Sequence, residues 1–228
     1  MLKAQNLNYR IPIACLFPCS RRDSIGDDQM ELDHMEGLYN SSNPFVKHVH
    51  NKRLKIIKSL VGKNEERLLD CGCGEGHLLA VLEGIKYGID LSEESLRRAK
   101  ERNPGAKIIE ANLAKLPFED NFFAVTTCSE VLEHIPDYRK AISEIIRVTR
   151  IGGRIIISVP NERNWTIGRL ATFRFPIKLK DHLNNFKYED LVGAFGFEPK
   201  RVIYIPLNLT YQLALTQVFE FEKPKVNR

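Results

Sequence analysis

The sequence predicts an α/β fold, in which helices cover both faces of a mostly parallel β-sheet. Two observations support this prediction. Short apolar segments rich in β-branched residues alternate with amphipathic segments of helical period from about residue 44 onward. A glycine-rich turn also follows the first apolar segment and opens a helix, an arrangement found in sheets that bind ligands beyond the carboxyl ends of their strands. With 228 residues, the chain is long enough to bury a core of ordinary size.

The individual elements follow from periodicity and from stop signals. Ser92 caps a helix with an acidic first turn, and Gly152 and Gly153 are predicted to stop a later helix. We predict helices at residues 44–62, 76–83, 92–102, 138–149 and 188–195. We predict strands at residues 67–71, 85–90, 107–110, 122–128, 154–159 and 201–205, with a final antiparallel strand at 216–221. Residues 161–180 are predicted to form an irregular insert.

Three parts of the chain differ in pattern. Residues 1–43 show no steady period and are predicted to be an N-terminal extension or cap. Residues 44–222 carry the alternating pattern and are predicted to form the main domain, followed by a tail at 223–228. The apolar segment at 11–18 is broken by prolines and lacks a clean small-residue cleavage site, so we expect no signal peptide.

Composition and charge argue against several classes of protein. The 43% of hydrophobic and 28% of charged residues are ordinary for a globular chain. A net charge of +5 does not identify a nucleic-acid binder, and we expect no nucleic-acid partner. Because no run of 18 apolar residues exists, we expect no membrane-spanning helix and no membrane partner. Five cysteines, two of them inside the glycine turn, predict a reducing, cytoplasmic location, and the oligomeric state stays open.

The strongest motif is the glycine turn at residues 68–76, Leu-Leu-Asp-Cys-Gly-Cys-Gly-Glu-Gly. Gly72, Gly74 and Gly76 let the backbone turn sharply and let a ligand lie against bare main chain. Free amides at the start of the following helix can hold a carboxylate. The spacing is neither the Gly-x-Gly-x-x-Gly of dinucleotide binders nor a P-loop, so we do not predict a phosphate cradle.

Two further polar positions lie at the ends of the next strands. Asp90 ends the second strand, where a carboxylate can accept hydrogen bonds from two ribose hydroxyls. Asn112 follows the third strand and can meet an adenine edge. Because the three elements occur in order on successive strand ends, we predict a nucleoside-type ligand at this edge of the sheet.

These motifs resemble class I S-adenosylmethionine-dependent methyltransferases. The resemblance spans about residues 53–197 and implies the Rossmann-like class I fold with its seven-stranded type of sheet. Besides the glycine turn, three blocks carry it: Asn-Leu-Ala-Lys-Leu-Pro-Phe at 112–118, Val-Thr-Thr-Cys-Ser-Glu-Val-Leu-Glu-His-Ile at 125–135, and Arg-Ile-Gly-Gly-Arg-Ile-Ile-Ile-Ser-Val-Pro-Asn at 150–161. It implies S-adenosyl-L-methionine as the cofactor.

The resemblance also implies roles for particular residues. The methionine part of the cofactor would lie on the glycine turn, with its binding residues Asp70, Gly72, Cys73, Gly74 and Gly76. Asp90 would hold the ribose, and Leu91 would lie beside the adenine. Asn112 and Leu113 would flank the base, and Ser129 would line the floor near the sulfonium. The family commonly has Asp at the position of Asn112, whose amide can still bond adenine.

The first candidate catalytic cluster is Glu130, Glu133 and His134, just past the fourth strand. These positions meet on one face if they form a helical turn, and histidine is the usual proton acceptor near neutral pH. Three roles stay open: a brace for the loop, a general base, or a divalent-cation site. The Glu-x-x-Glu-His pattern is similar to that of ubiquinone-biosynthesis O-methyltransferases, which implies metal-assisted phenol methylation as one option. We assign no metal ligand from the sequence.

The second catalytic candidate is His182, within Asp-His-Leu-Asn-Asn-Phe at residues 181–186. The insert before it is rich in aromatic residues and either lids a pocket or packs on the sheet edge: Trp165, Phe173 and Phe175. Near the N-terminus, three side chains are candidates to close over the cofactor, and we expect at least two of them to be surface residues: Tyr39, His48 and His50. Basic pairs are expected on solvated helix faces: Lys52–Arg53 and Arg97–Arg98.

Together these observations predict S-adenosylmethionine-dependent methyl transfer to a small-molecule acceptor, with the accepting atom (O, N or C) open. One alternative is a nucleic-acid or protein methyltransferase, but residues 159–161 (Val-Pro-Asn) are not an Asn/Asp-Pro-Pro-Tyr acceptor motif. Another alternative is a cofactor-binding, non-catalytic subunit. The glycine spacing disfavours a nicotinamide-dependent oxidoreductase.

Overall fold

The structure is a computed structural model that describes residues 43–171 and 182–225. Its helices are α1 (Pro44–Val61), α2 (His77–Val81), α3 (Glu93–Arg102), α4 (Tyr138–Val148), α5 (Glu162–Ala171) and α6 (Tyr188–Phe195). Its strands are β1 (Arg67–Cys71), β2 (Ile85–Asp90), β3 (Lys107–Glu110), β4 (Phe123–Ser129), β5 (Thr149–Pro160), β6 (Arg201–Ile205) and β7 (Thr216–Glu222). Two short 3₁₀ turns lie at Leu132–His134 and Tyr211–Leu213.

The strands form one sheet in the order β3-β2-β1-β4-β5-β7-β6. Neighbouring strands are parallel from β3 to β5, whereas β7 runs antiparallel to both β5 and β6. The chain moves outward from β1 to β3 and then returns to β4 on the other side of β1, so the switch point of the topology lies between β1 and β4. Ligands of open α/β sheets bind beyond the carboxyl ends of the strands at such a point. The predicted α/β fold with a seven-stranded sheet is confirmed.

Helices cover both faces of the sheet because apolar side chains alternate along its strands. In β1, Leu68 packs on the face covered by α1, α2 and α3, and Leu69 packs on the face covered by α4 and α6. Both leucines are fully buried. This two-sided burial holds the carboxyl end of β1, and the turn that follows it, in a fixed place.

Gly152 and Gly153 do not stop α4, so that part of the sequence prediction was wrong. The helix ends at Val148, and β5 begins directly at Thr149 and runs through both glycines. The Thr149 hydroxyl donates a hydrogen bond to the carbonyl oxygen of Ile145 at 2.6 Å as the backbone becomes extended. Gly152 has a φ of +70°, so this glycine is needed for the path of the strand rather than for the end of the helix.

The prediction of an irregular insert at 161–180 was wrong for its first half, which forms α5. The carbonyl oxygen of Asn161 accepts hydrogen bonds from the amides of Asn164 and Trp165 and so begins the helix. The Asn164 side chain then donates to the carbonyl oxygens of Gln212 (2.9 Å) and Ala214 (2.7 Å), which fixes the helix beside the β6–β7 connection. These contacts are distant in sequence, so local pattern did not reveal them. Phe173 and Phe175 lie outside the described residues.

Other boundaries differ less. The predicted helix at 76–83 is shortened to α2 because Gly76 is left-handed and Leu82 is extended. Lys223, which was assigned to the tail, exchanges backbone hydrogen bonds of 2.9 Å with Gly152 and Gly153 and so continues the sheet. Of the predicted N-terminal extension, only Asn43 is described, and its side chain caps α1. None of the described helices has the length and apolar character that a membrane span requires.

Candidate functional site

The turn after β1 has three glycines in the left-handed conformation. At two of them, close neighbours leave no room for a side chain. Gly72, Gly74 and Gly76 have φ values of +68°, +49° and +77°. A Cβ on Gly72 would lie 2.5 Å from a methyl carbon of Val131, and one on Gly76 would lie 2.4 Å from the Asn103 amide nitrogen. A Cβ on Gly74 would meet nothing within 4 Å. The middle of the turn therefore presents bare main chain to open space.

Asp90, at the end of β2, is bonded directly to this turn. Its Oδ2 accepts a hydrogen bond from the amide of Gly74 at 2.9 Å. Its Oδ1 accepts from the amides of Leu91 at 2.8 Å and Ser92 at 2.9 Å. The structure thus brings the predicted ribose-binding acid and the glycine turn together. It adds a role that sequence reasoning missed, since Asp90 also holds the turn in shape.

Asn112 and Leu113 follow β3 at the same edge of the sheet. The amide of Ala111, just before them, donates to the backbone carbonyl oxygen of Asp90 at 3.1 Å. Asn112 is exposed, and its side-chain oxygen accepts from the amide of Ala114 at 2.8 Å. Leu113 is buried, whereas Leu91 is exposed. An exposed amide group and an exposed apolar side chain therefore lie on either side of Asp90.

Asp70, the last but one residue of β1, is almost fully buried just before the turn. The Thr127 hydroxyl donates a hydrogen bond to its Oδ1 at 2.7 Å. Burial raises the pKa of Asp70 from 3.8 to about 7, against the opposing effect of the Thr127 hydrogen bond. Asp70 also lines a pocket together with Gly72, Cys73, Glu75, His77, Leu78 and Ser129. It therefore lies where the predicted methionine part would be held.

Replacing Asp70 with asparagine should remove a pH dependence of stability. A raised pKa means that the folded chain holds a proton that the unfolded chain releases near pH 4, so this stabilisation is present at pH 4 and is lost as the pH rises through about 7. Each pKa unit corresponds to about 1.4 kcal/mol. Urea unfolding at pH 5 and pH 8 should show the wild type losing roughly 1–3 kcal/mol more than Asp70→Asn over this interval. Parallel pH profiles for the two proteins would contradict the assignment.

Ser129 and Glu130 lie at the carboxyl end of β4, across the pocket from the turn. The Ser129 and Ser158 hydroxyls are 2.9 Å apart, and Ser158 donates to Oε1 of Glu130 at 3.1 Å. Glu130 is a non-glycine residue at a φ of +57°, an uncommon backbone conformation that often accompanies functional sites. Nη1 of Arg53 lies 3.3 Å from its Oε2.

Arg53 was predicted to lie on a solvated helix face, and this was wrong. Only 1% of Arg53 is exposed, because α1 turns it toward the sheet and onto Glu130. Its neighbour Lys52 donates to the carbonyl oxygen of Pro206 at 2.6 Å. The available signal was helical spacing: Arg53 falls on the buried face of α1 with Val49 and Ile57.

The two predicted catalytic segments meet in space. The amides of Leu183 and Asn184 donate to the carbonyl oxygen of Glu133 at 2.8 and 3.1 Å. The rings of His134 and His182 are 4.8 Å apart and nearly perpendicular. Nδ1 of His182 lies 2.8 Å from Oε1 of Glu162, the first residue of α5. Glu162 is a member of this cluster that sequence reasoning missed.

Glu133 is the most enclosed member of this cluster. Only 1% of it is exposed, and its Oε2 has no hydrogen-bond partner among the described residues. Burial raises the pKa of Glu133 well above its usual range, and the nearby Glu130 carboxylate raises it further. One ligand atom from each of Glu133, His134 and His182 lies within 4.8 Å of the other two. These residues fit the divalent ion that the resemblance implies, whereas Glu130 faces Arg53 instead.

The three N-terminal candidates have different surroundings. His48 is exposed, as expected of a surface residue, and Tyr39 lies outside the described residues. His50 is buried and lies parallel to the Trp165 ring at 6.2 Å between centroids. Burial, together with the charge of Arg53, lowers the pKa of His50 to about 3. His50 therefore packs α1 against α5 as a neutral ring.

The sheet order and the glycine turn at its switch point define a doubly wound α/β protein of the class that binds nucleotides and nucleosides. Comparison with known proteins shows which proteins this chain is similar to. Residues 69–157 match the model of a methyltransferase domain. In this region the chain is similar to S-adenosylmethionine-dependent methyltransferases.

Individual relatives show this similarity. The chain is 31% identical over 157 residues to the ubiquinone biosynthesis O-methyltransferase of Nitrosomonas europaea, covering 61% of this chain and 66% of the relative. It is 33% identical over 134 residues to a probable S-adenosylmethionine-dependent methyltransferase of Mycolicibacterium smegmatis, covering 58% of this chain but only 51% of the relative. The crystal structure of an S-adenosylmethionine-dependent methyltransferase from Thermotoga maritima has the same fold, with a TM-score of 0.66, 19% identity and coverage of 82% of this chain and 97% of that one.

Proposed function

We propose that this protein transfers the methyl group of S-adenosylmethionine to a small-molecule acceptor. The observation that carries the proposal is the hydrogen bond from the Gly74 amide to Asp90, because it joins bare main chain and an acid at the switch point of the sheet. An extended nucleoside with an amino-acid tail matches these two features. The small-molecule acceptor is supported by the Nitrosomonas relative, whose name refers to ubiquinone biosynthesis.

In this proposal each part of the edge holds one part of the cofactor. The two oxygens of Asp90 offer about four lone-pair sites. Three of these accept the backbone amides of Gly74, Leu91 and Ser92, and the remaining site, on Oδ2, can accept a ribose hydroxyl. Asn112 and Leu91 flank the base, and the main chain of 72–76 with Asp70 below it faces the methionine part. Ser129 lines the same pocket, which supports the proposal that it faces the sulfonium.

Methyl transfer from a sulfonium is an in-line displacement, in which the acceptor atom forms a bond to the methyl carbon as the carbon–sulfur bond breaks. The donor is already activated, so the protein mainly aligns the reacting atoms and excludes water, effects that contribute on the order of 7–11 kcal/mol. His134 and His182 lie beside Glu133, and in the absence of a bound ion an imidazole can take up a proton from a hydroxyl acceptor. A divalent ion held there would supply a Lewis acid to polarise such a hydroxyl.

Calorimetry with two cofactors tests the first half of the proposal. In separate titrations, S-adenosylmethionine and its product S-adenosylhomocysteine should each bind at one molecule per protein chain. NAD should bind far more weakly, because the turn lacks the dinucleotide glycine spacing. Tighter binding of NAD than of S-adenosylmethionine would overturn the proposal. The matched control is the variant Glu83→Gln, which changes an exposed side chain on the α2–β2 connection. It should bind S-adenosylmethionine and S-adenosylhomocysteine as the wild type does.

The second half of the proposal, transfer to a small-molecule acceptor, is tested by following which class of molecule receives a labelled methyl group. The protein is incubated with methyl-labelled S-adenosylmethionine and a cell extract that has been separated into small metabolites, protein and nucleic acid. We expect label in the metabolite fraction. Label confined to protein or nucleic acid would assign the alternative methyltransferase classes, and cofactor binding without label in any fraction would indicate a non-catalytic subunit.

A further inference from the structure

Three side chains of the types that bind metal ions converge from two segments that are distant in sequence. Glu133 and His134 come from the 3₁₀ turn after β4, and His182 comes from the segment before α6. One ligand atom of each lies within 4.8 Å of the other two, a spacing that small adjustments of side-chain torsions can close around one ion. Two imidazoles and a carboxylate form the donor set that first-row divalent transition metals favour, whereas Mg²⁺ and Ca²⁺ favour oxygen ligands alone.

Hydrogen bonds connect the segment before α6 to the 3₁₀ turn after β4. In addition to the two amides that donate to the carbonyl oxygen of Glu133, the side chain of Asn184 donates to the carbonyl oxygens of Leu132 at 3.2 Å and Ile135 at 2.8 Å. The segment that carries His182 is therefore fixed to both ends of the turn that carries Glu133 and His134. The relative positions of the three side chains follow from the backbone.

Glu133 has a buried side-chain oxygen that the described protein groups do not satisfy. Oε2 of Glu133 is enclosed and accepts no hydrogen bond from the described residues. Buried polar atoms in folded proteins nearly always have a partner, and a cation bound between Glu133 and the two imidazoles would supply one. Both histidines of the cluster are partly exposed, so an ion can reach the cluster from solvent.

Glu162 occupies the position of an outer partner. Its carboxylate contacts Nδ1 of His182, and the side chains of both residues are about nine-tenths buried, at 7% and 10% exposed. Histidines that bind metals commonly donate their other ring N–H to a carboxylate, which fixes the tautomer and the orientation of the ring. With the proton on Nδ1, facing Glu162, Nε2 of His182 would keep the lone pair that a metal ion needs.

We propose that Glu133, His134 and His182 bind one divalent transition-metal ion and that Glu162 is the positioning residue for His182. The set differs from the Glu130–Glu133–His134 grouping that the sequence pattern favours, because Glu130 is paired with Arg53 and His182 lies within reach of Glu133 and His134. The site rests on the proposed function and deepens it by placing a Lewis acid on the acceptor side of the pocket. Metal binding itself needs neither cofactor nor acceptor, so it is tested separately.

The test is a titration of the full-length, tag-free, metal-stripped protein with Co²⁺, followed by visible absorption, and with Zn²⁺ against a chromophoric chelator. The wild type should bind one ion and develop the absorption of Co²⁺ with nitrogen and oxygen ligands. His182→Gln should lose this absorption, and Glu162→Gln should weaken Zn²⁺ binding by roughly 10- to 100-fold, as loss of an outer carboxylate typically does. His48→Gln, an exposed histidine on α1, is the matched control and should bind like the wild type.

Three results would overturn the proposal. The wild type binds less than one equivalent of either ion, His182→Gln binds like the wild type, or only Mg²⁺ binds. Thermal unfolding of each variant without metal shows whether a loss comes from misfolding, and in that case Glu162→Gln carries the test, since it removes no direct ligand. Metal binding without labelled product would leave the site intact and refute only the proposed methyl transfer.

Discussion

Replacing Arg53 with methionine is expected to lower the free energy of unfolding by about 3 kcal/mol or more. The side chain is 2% exposed, and its guanidinium faces Glu130, whose side chain is 15% exposed. Methionine fills much of the space of the aliphatic stem but leaves the Glu130 carboxylate without its counter-charge. Removing one partner of a buried ion pair typically costs about 3–5 kcal/mol. Urea unfolding of the wild type and the variant at pH 7 measures the difference.

Two control variants show whether the ion pair is responsible. Arg97→Met removes an arginine that is 56% exposed and paired with Glu94 and Glu101 on the surface of α3, so its effect should be much smaller than that of Arg53→Met. The double variant Arg53→Met with Glu130→Gln should recover part of the stability, because the unpaired charge is then gone. A loss of less than about 1 kcal/mol for Arg53→Met would show that the pair contributes little.

Replacing Asp90 with alanine is expected to weaken binding of S-adenosylmethionine by roughly 1.5–3 kcal/mol, which is about a 10- to 150-fold rise in Kd. The substitution removes a charged hydrogen-bond acceptor, and it also removes the acceptor of the Gly74, Leu91 and Ser92 amides. Calorimetry gives the affinity. Thermal unfolding in the absence of ligand gives the separate effect on the turn.

Asp90→Asn separates these two roles in part. Its side-chain oxygen can still accept from the amides of Leu91 and Ser92, but its NH₂ group then faces the Gly74 amide and cannot accept from it or from a ribose hydroxyl. We expect a smaller loss of thermal stability than in Asp90→Ala and a fall in affinity of at least 10-fold. Glu119→Ala, an exposed acid on the β3–β4 connection, is the control and should bind normally. If Asp90→Ala and Asp90→Asn bind like the wild type, Asp90 does not hold the ribose.

Much of the fold follows from local pattern. The bounds of β1, β2, β3 and β6 match the predicted strands, since each is a short apolar segment between turn signals. The end of α4 was misplaced because Thr149 changes the backbone to extended before the glycines, an effect of its own hydroxyl and of the sheet. Helix α5 was missed because its position depends on contacts to residues 212–214, about fifty positions later in the chain.

The sequence predicted the parts of the candidate site that follow from the order of the strands, but not the contacts between segments that are distant in the chain. Gly72–Gly76 and Asp90 could be paired from the sequence because consecutive parallel strands end at the same edge of a sheet. The meeting of His182 with His134 depends on hydrogen bonds from Leu183 and Asn184 to the Glu133 backbone, which no spacing rule encodes. The burial of Arg53 was within reach, since helical spacing places it on the apolar face of α1.

The central claim is that one sulfur-containing nucleoside binds between the 72–76 turn and Asp90. A crystal structure of the protein grown with S-adenosylhomocysteine tests it most directly. We expect a ribose hydroxyl within hydrogen-bond distance of Asp90 and the amino-acid tail along the turn, with the sulfur facing Ser129. A structure in which this crevice is empty at saturating ligand, or in which the compound binds elsewhere, would contradict the account.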